Sequence, residues 1–148
     1  MIHFTVLCVG TVKEKYMRDA IDDYKKRLTK YAKVDVIEVA EQATVEKEGA
    51  LLLAKIPERA YVTALDLKGE QMTSPELAAK IDKQAAEGYS HFIYVIGGSD
   101  GLAAEVTQKA NARLCMGKMT FPHQMARLII FEQLYRAMKI NHGEKYHK

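Results

Sequence analysis

Apolar positions along the chain follow two periodicities, one typical of strands and one typical of helices. Short apolar runs alternate with longer segments in which apolar residues return every three or four positions. The predicted strands are residues 2–9, 34–39, 61–67 and 91–96. The predicted helices are residues 14–30, 44–56, 73–87, 103–110 and 123–139, with an ambiguous segment at 113–120 and a polar tail at 142–148. This alternation predicts an α/β fold, a mostly parallel sheet with helices on both faces.

Local signals mark where some of these elements begin and end. Thr73 or Ser74 can cap the third helix, Pro75 fits its first turn, and Glu76 can complete a capping box. The sequence Lys68-Gly69-Glu70 predicts a turn that closes the third strand.

The last predicted helix is apolar on nearly every side, so it must be buried on several sides. In a chain this small, a subunit interface with C2 symmetry is an economical solution, and a central core helix is the alternative. His123 and Arg127 lie four residues apart on this helix, as do Glu132 and Arg136. The second pair has the acid before the base, which favours an i, i+4 salt bridge.

Composition limits the class of protein. The chain has 148 residues, of which 48% are hydrophobic and 28% charged, so we expect one domain over residues 1–148 and no intrinsic disorder. It contains no apolar run of membrane-spanning length, and its first ten residues, MIHFTVLCVG, do not form a signal peptide. Cys8 and Cys115 match no metal-ligand spacing. We expect a cytoplasmic protein with reduced thiols and no metal, in which Cys8 is a small core residue.

Charge is distributed unevenly along the chain. Residues 13–33 contain 8 basic and 4 acidic residues, residues 34–112 contain 7 and 13, and residues 113–148 contain 7 and 2. The net charge of +3 therefore conceals two basic regions around an acidic middle. Such asymmetry is compatible with a surface that binds nucleic acid, and equally with ordinary solvated helix faces.

A glycine-rich turn follows the fourth predicted strand. Residues 95–101 read VIGGSDG, and the carboxyl ends of strands in open α/β sheets are where ligands bind. The run matches neither the dinucleotide fingerprint nor the phosphate loop, which argues against a nucleotide-phosphate enzyme. A purely structural turn remains the alternative.

Taken together, several stretches resemble one family. They are Val6–Gly10, Thr63–Asp66, Phe92–Gly101 (FIYVIGGSDG), Lys118–His123, Glu132–Ala137 and Tyr146–Lys148. In this order they are similar to the SPOUT-class rRNA large-subunit methyltransferase H family, over essentially the full length. The segments TFPHQMARLIIFEQLYRA and KYHK are long and specific. Two departures are a shortening by about ten residues around 40–49 and Cys115, where a small hydroxyl residue is common.

The resemblance implies a trefoil knot near the C-terminus, an exception to the rule that chains are unknotted. It also implies an obligate homodimer, S-adenosylmethionine as the methyl donor, and methylation of N3 of a pseudouridine in bacterial 23S rRNA, on the assembled ribosome. The cofactor-binding positions that it implies are Leu65, Gly97, Met116, Gly117, Lys118, Met119, Thr120 and Phe121.

Four residues are the candidates for catalysis under this resemblance. Arg136 would bind phosphate or a base edge, and Glu132 would hold the Arg136 side chain in place. Tyr146 and His147 would reach the target base, across the dimer interface, and His147 is the first candidate for proton acceptor. The alternatives are a SPOUT methyltransferase that acts on tRNA and a non-catalytic RNA-binding protein.

Overall fold

A computed structural model of the chain describes residues 1–146, and it contains one five-stranded sheet. The strands are β1 (Ile2–Val9), β2 (Ala32–Val39), β3 (Tyr61–Glu70), β4 (His91–Ile96) and β5 (Ala112–Leu114). The helices are α1 (Lys15–Leu28), α2 (Val45–Leu53), α3 (Ser74–Ala86), α4 (Ala104–Lys109) and α5 (His123–Asn141). The strand order is β2-β1-β4-β3-β5 and every neighbouring pair is parallel, which confirms the predicted α/β architecture.

The helices cover the sheet from two sides, as predicted. Helices α1, α3 and α5 share one core with the strand residues Phe4 and Phe92. Helices α2 and α4 pack on the opposite face against a second core that includes Leu7 and Val95. Successive side chains of a strand point to opposite faces, so β1 contributes Phe4 to one core and Leu7 to the other.

Helix α5 lies in the centre of the first core, where it packs against both α1 and α3. Its residues Ile130, Phe131 and Leu134 are completely buried. Packing inside one chain, the central-core alternative, therefore explains how most of the apolar surface of α5 is buried. Near its beginning, however, Met125 is 42% exposed. No helix in residues 1–146 is long and apolar enough to cross a membrane.

The start of α3 confirms the predicted capping box. The Glu76 backbone N–H donates to Thr73 Oγ1 at 3.2 Å, and the Thr73 backbone N–H donates to Glu76 Oε1 at 2.9 Å. These bonds satisfy amide groups that have no partner inside the helix. Because the Thr73 backbone donates to its carboxylate, the pKa of Glu76 is lowered.

The turn predicted at residues 68–70 is wrong, because β3 continues through them to Glu70. Gly69 allows the Arg113 backbone to approach β3 closely and does not reverse the chain. A Cβ on Gly69 would come within 2.7 Å of that backbone. The ambiguous segment 113–120 thus contributes to β5. Leu114, the last residue of β5, pairs with both Leu65 and Glu70.

Candidate active site at the carboxyl edge of the sheet

The pairing of β3 with β4 ends where β4 reaches the carboxyl edge of the sheet, although β3 itself continues to Glu70. Ala64 pairs with Val95, so Leu65 and Gly97 follow at the same edge of the sheet. After Gly97 the chain makes a tight turn, in which the Gly101 backbone N–H donates to the Gly98 carbonyl at 3.1 Å. Leu65 and Gly97, the two predicted cofactor positions outside residues 116–121, therefore lie at the edge where α/β sheets bind ligands.

The other predicted cofactor positions form the loop from Met116 to Phe121, which connects β5 to α5. The Phe121 ring lies beside Gly117, where a Cβ would come within 3.4 Å of it. Lys118, Met119 and Thr120 are exposed, Met119 to 79%. This loop therefore has an apolar base and a solvent-facing tip.

A cavity of about 180 Å³ lies between this loop, the start of α3 and α5. Its lining combines apolar side chains with hydroxyl and amide groups: Met72, Thr73, Ser74, Leu77, Leu114, Cys115, Met116, Ile129, Ile130 and Gln133. Of the eight predicted cofactor positions, Met116 lines it. Apolar walls with a few polar groups suit the adenosine and methionine parts of S-adenosylmethionine in chemical character.

Gln133 connects this cavity to the predicted catalytic residues. Its Oε1 accepts a hydrogen bond from Ser74 Oγ at 2.6 Å, and its Nε2 donates to Glu132 Oε1 at 2.8 Å. Sequence reasoning missed Gln133 and Ser74. The signal available was that Gln133 directly follows Glu132 in the family-like segment EQLYRA.

Three of the four predicted catalytic residues form one cluster. Arg136 Nε and Nη2 donate to Glu132 Oε2 at 3.1 and 2.8 Å, as the predicted i, i+4 pair requires. The Tyr146 hydroxyl donates to the same oxygen at 3.0 Å, and the Arg136 guanidinium lies 4.7 Å from the centre of the Tyr146 ring. His147, the fourth, lies outside the described residues.

The cluster keeps Tyr146 as a neutral phenol. Burial, and hydrogen bonds with Tyr24 and Glu132, raise the pKa of Tyr146 above its usual range. The Tyr135 ring meets the Tyr146 ring edge-on at 5.0 Å. Tyr146 can therefore position a ligand or donate a hydrogen bond, but it is a poor base.

The other predicted pair on this helix, His123 and Arg127, has a different role. Arg127 is 3% exposed and does not depend on His123: it donates to Glu38 Oε2 at 2.5 Å and to the Gly10 carbonyl at 3.2 Å. It ties α5 to the ends of β1 and β2. These contacts support a structural role for Arg127.

Thiol and metal chemistry receive no support from the described residues. Burial raises the pKa of Cys8 to about 12, which fits its predicted place in the core. Among residues 1–146, no group of three or more His, Cys, Asp or Glu side chains could hold a metal ion.

Comparison with known proteins agrees with the fold. A family profile described as predicted SPOUT methyltransferase matches residues 2–147. The structure of a probable methylase family protein from Haemophilus influenzae Rd KW20 superposes with a TM-score of 0.55. That match covers 98% of this chain and 70% of the other at 13% sequence identity, so it supports the fold alone. The chain is a member of the SPOUT methyltransferases.

Two relatives define the family more narrowly. The ribosomal RNA large subunit methyltransferase H of Bifidobacterium animalis subsp. lactis (strain AD011) is 49% identical to this chain. The protein of the same name from Clostridium novyi (strain NT) is 46% identical. Both alignments cover 99% of this chain and 100% of the relative. The chain belongs to the ribosomal RNA large subunit methyltransferase H family.

Proposed function

We propose that this protein transfers a methyl group from S-adenosylmethionine to N3 of a pseudouridine in 23S rRNA. The observation that carries the proposal is the continuity of the site: Gln133 joins the cavity beside the Met116 loop to the cluster of Glu132, Arg136 and Tyr146. We infer that the cavity is part of the donor pocket and that Arg136 is the substrate-binding cation beside it. The names of the relatives supply the substrate class, large-subunit rRNA.

S-adenosylmethionine supplies an electrophilic methyl group when it is bound. Leu65, Gly97 and residues 116–121 are the positions proposed to hold it, with apolar contacts and backbone hydrogen bonds. Because the cofactor carries no phosphate, the absence of a phosphate loop is expected.

The residues of the cluster are proposed to hold the RNA. Glu132 holds the planar guanidinium of Arg136, which is the group proposed to bind a phosphate or a base edge. N3 of the pseudouridine carries a proton that must leave as the methyl group arrives. His147 is the proposed acceptor, since an imidazole titrates near the working pH.

We propose that the working enzyme is a cytoplasmic homodimer that acts on the assembled ribosome. Exposed apolar side chains at the carboxyl edge support a subunit interface: Leu67 is 59% exposed, Met119 79% and Met125 42%. The knot near the C-terminus is proposed from the family membership. A single small domain offers little area for reading RNA, which favours a preassembled ribosomal surface.

Mass spectrometry of 23S rRNA tests the proposal. Cells that lack the protein should lose one methylpseudouridine, and purified protein with S-adenosylmethionine should restore it on isolated ribosomes. Methyl incorporation into bulk tRNA but not into ribosomes would instead indicate a tRNA enzyme. Absence of saturable S-adenosylmethionine binding in calorimetry would indicate a non-catalytic RNA-binding protein.

A further inference from the structure

The chain turns back sharply where α5 ends. Gly143 has a φ of +67°, its backbone N–H donates to the Ile140 carbonyl at 3.0 Å, and the Glu144 N–H donates to the Lys139 carbonyl at 2.9 Å. These two bonds form a Schellman motif, in which glycine is favoured because it adopts a positive φ without strain. The motif sets the direction in which residues 144–146 leave the helix.

The Glu144 side chain then binds two other elements. Its Oε1 accepts a hydrogen bond from the Tyr31 hydroxyl at 2.8 Å, and its Oε2 pairs with Lys139 Nζ at 2.8 Å. Lys30 Nζ adds a longer contact of 3.8 Å to Oε2. Tyr31 precedes β2 and Lys139 lies on α5, so one carboxylate holds the tail against two separate parts of the fold.

This attachment stands two residues before Tyr146, which contacts Glu132 and Arg136. We propose that Glu144 is a positioning residue: held between Tyr31 and Lys139, it fixes the tail so that Tyr146 lies on Arg136. For its effect on the reaction, this inference rests on the proposed function. Neither the resemblance nor the relatives' names assign a role to Glu144.

The groups around Glu144 keep its carboxylate charged, which suits a permanent attachment of the tail. The hydrogen bonds from Lys139 and then Tyr31 lower the pKa of Glu144 to about 2. The carboxylate therefore stays ionised at any pH at which the enzyme works. The Tyr31 ring also packs near His142, 4.8 Å between ring centres, which supports the same turn from its other side.

The test variant is Glu144→Gln, which keeps an acceptor for Tyr31 but places an amide against the Lys139 ammonium. Hydrogen–deuterium exchange of a peptide covering residues 142–148 should become about tenfold faster. With wild-type ribosomes, the single-turnover rate should fall about tenfold because a small displacement of reacting groups is costly. S-adenosylmethionine affinity should stay within about twofold, since the change lies outside the cofactor positions.

Glu58→Gln is the matched control, because Glu58 is an exposed carboxylate in the segment before β3. It removes the same charge and should leave both exchange and rate unchanged. Lys139→Met should slow the reaction as well, and the double variant with Glu144→Gln should be less impaired than the product of the two single effects. A merely structural loss would lower the rate and the cofactor-binding capacity together.

Three results would decide against the inference. If Glu144→Gln exchanges and reacts like the control, Glu144 does not fix the tail. If the tail exchanges faster while the rate is unchanged, the attachment has no part in positioning. If wild-type protein does not methylate rRNA at all, the proposed function fails, and unchanged tail exchange in Glu144→Gln would separately refute the attachment.

Discussion

Helix α5 carries two arginine–glutamate pairs that differ in burial and in the origin of the partner. Arg127 is 3% exposed and binds Glu38, which comes from β2, 89 residues away in sequence. The Arg136 side chain is 24% exposed and binds Glu132, one turn away on the same helix. The first pair connects elements of the fold. The second lies nearer to solvent, with the Tyr146 ring over its guanidinium, and is the pair proposed to act on the RNA.

This difference separates two uses of the same chemistry. An arginine that is fully enclosed stabilises the fold only as long as its partner neutralises it. Arg136, which is 24% exposed, contributes less stability through its ion pair, and Glu132 holds its guanidinium for the proposed recognition of RNA. The predictions below test whether stability and activity divide between the two pairs in this way, in order of decreasing effect.

The largest effect is expected at His147, the residue that follows Tyr146. Replacing it with Ala should lower the single-turnover rate of methyl transfer about a thousandfold, since it removes the proposed proton acceptor. S-adenosylmethionine affinity should stay within about twofold in calorimetry. The wild-type rate should rise with pH through about 6.5, the imidazole range, and the variant should lose that rise. Equal rates for both proteins across pH would refute the assignment.

Glu38→Gln should damage the fold instead of the reaction. It leaves the guanidinium of Arg127 charged, buried and without its carboxylate. We expect the free energy of unfolding in urea to fall by about 3 kcal/mol, the lower end of the range for a broken buried pair, because Glu38 is itself 36% exposed. Glu132→Gln is the matched control and should cost less, because Arg136, the arginine it leaves behind, is 24% exposed whereas Arg127 is 3% exposed. Equal losses for the two variants would remove the distinction between the pairs.

Arg136→Met should have the opposite profile to Glu38→Gln. It retains the length of the side chain but removes the charged group proposed to hold the RNA. Methyl transfer should fall about a hundredfold, while the free energy of unfolding changes by no more than about 1 kcal/mol. Single-turnover rates and urea unfolding on the same preparation check both parts. A stability loss as large as that of Glu38→Gln would contradict the proposed role.

Tyr146→Phe should have a smaller effect. The ring still covers Arg136, and only the hydrogen bonds of the hydroxyl with Glu132 and Tyr24 are lost, so we expect about a fivefold lower rate. Because the pKa of Tyr146 is raised, its hydroxyl stays neutral in mildly alkaline solution. The alkaline side of the pH–rate profile should therefore be the same in both proteins. A limb that disappears in the variant would show that Tyr146 itself titrates there.

The smallest effect concerns stability as a function of pH at Glu144. Its pKa is lowered from 4.5 to about 2 in the folded chain, so its stabilising contribution is present above 4.5 and is lost as the pH falls through about 2. The difference in unfolding midpoint between wild type and Glu144→Gln should be constant between about pH 6 and pH 8 and should shrink toward pH 2. A difference that grows on acidification would have the wrong sign.

Where the signal lies within a few residues, the sequence predicts the structure well. The capping box at Thr73 and Glu76 and the ion pair of Glu132 and Arg136 both depend on neighbours in a helix, and both form as predicted. The parallel direction of the strands likewise follows from the alternation of strands and helices. The site residues themselves were predicted from the family resemblance, and three of the four proposed catalytic side chains are in contact.

Contacts between distant segments were not predictable in this way. Glycine between lysine and glutamate suggests a turn, and nothing near Gly69 in sequence reveals that the Arg113 backbone will lie against it. Arg127 lies on α5, but its partner Glu38 lies on strand β2. One partner of Glu144, Tyr31, is 113 residues away in sequence. These positions are defined by topology, which a single sequence does not display.

The double pairing of Leu114 also has a consequence for the order of folding. A three-residue strand cannot hold its place alone, and its neighbour is far away: the Val62 N–H and the Asn111 side chain, which bond at 2.7 Å, are 49 residues apart. Such distant closures are slow, because the loop entropy is lost before the contacts form. Residues 112–116 are also synthesised after the other four strands. During synthesis, a newly made chain would therefore complete the cavity lined by Leu114 and Met116 only after the rest of the sheet had been made.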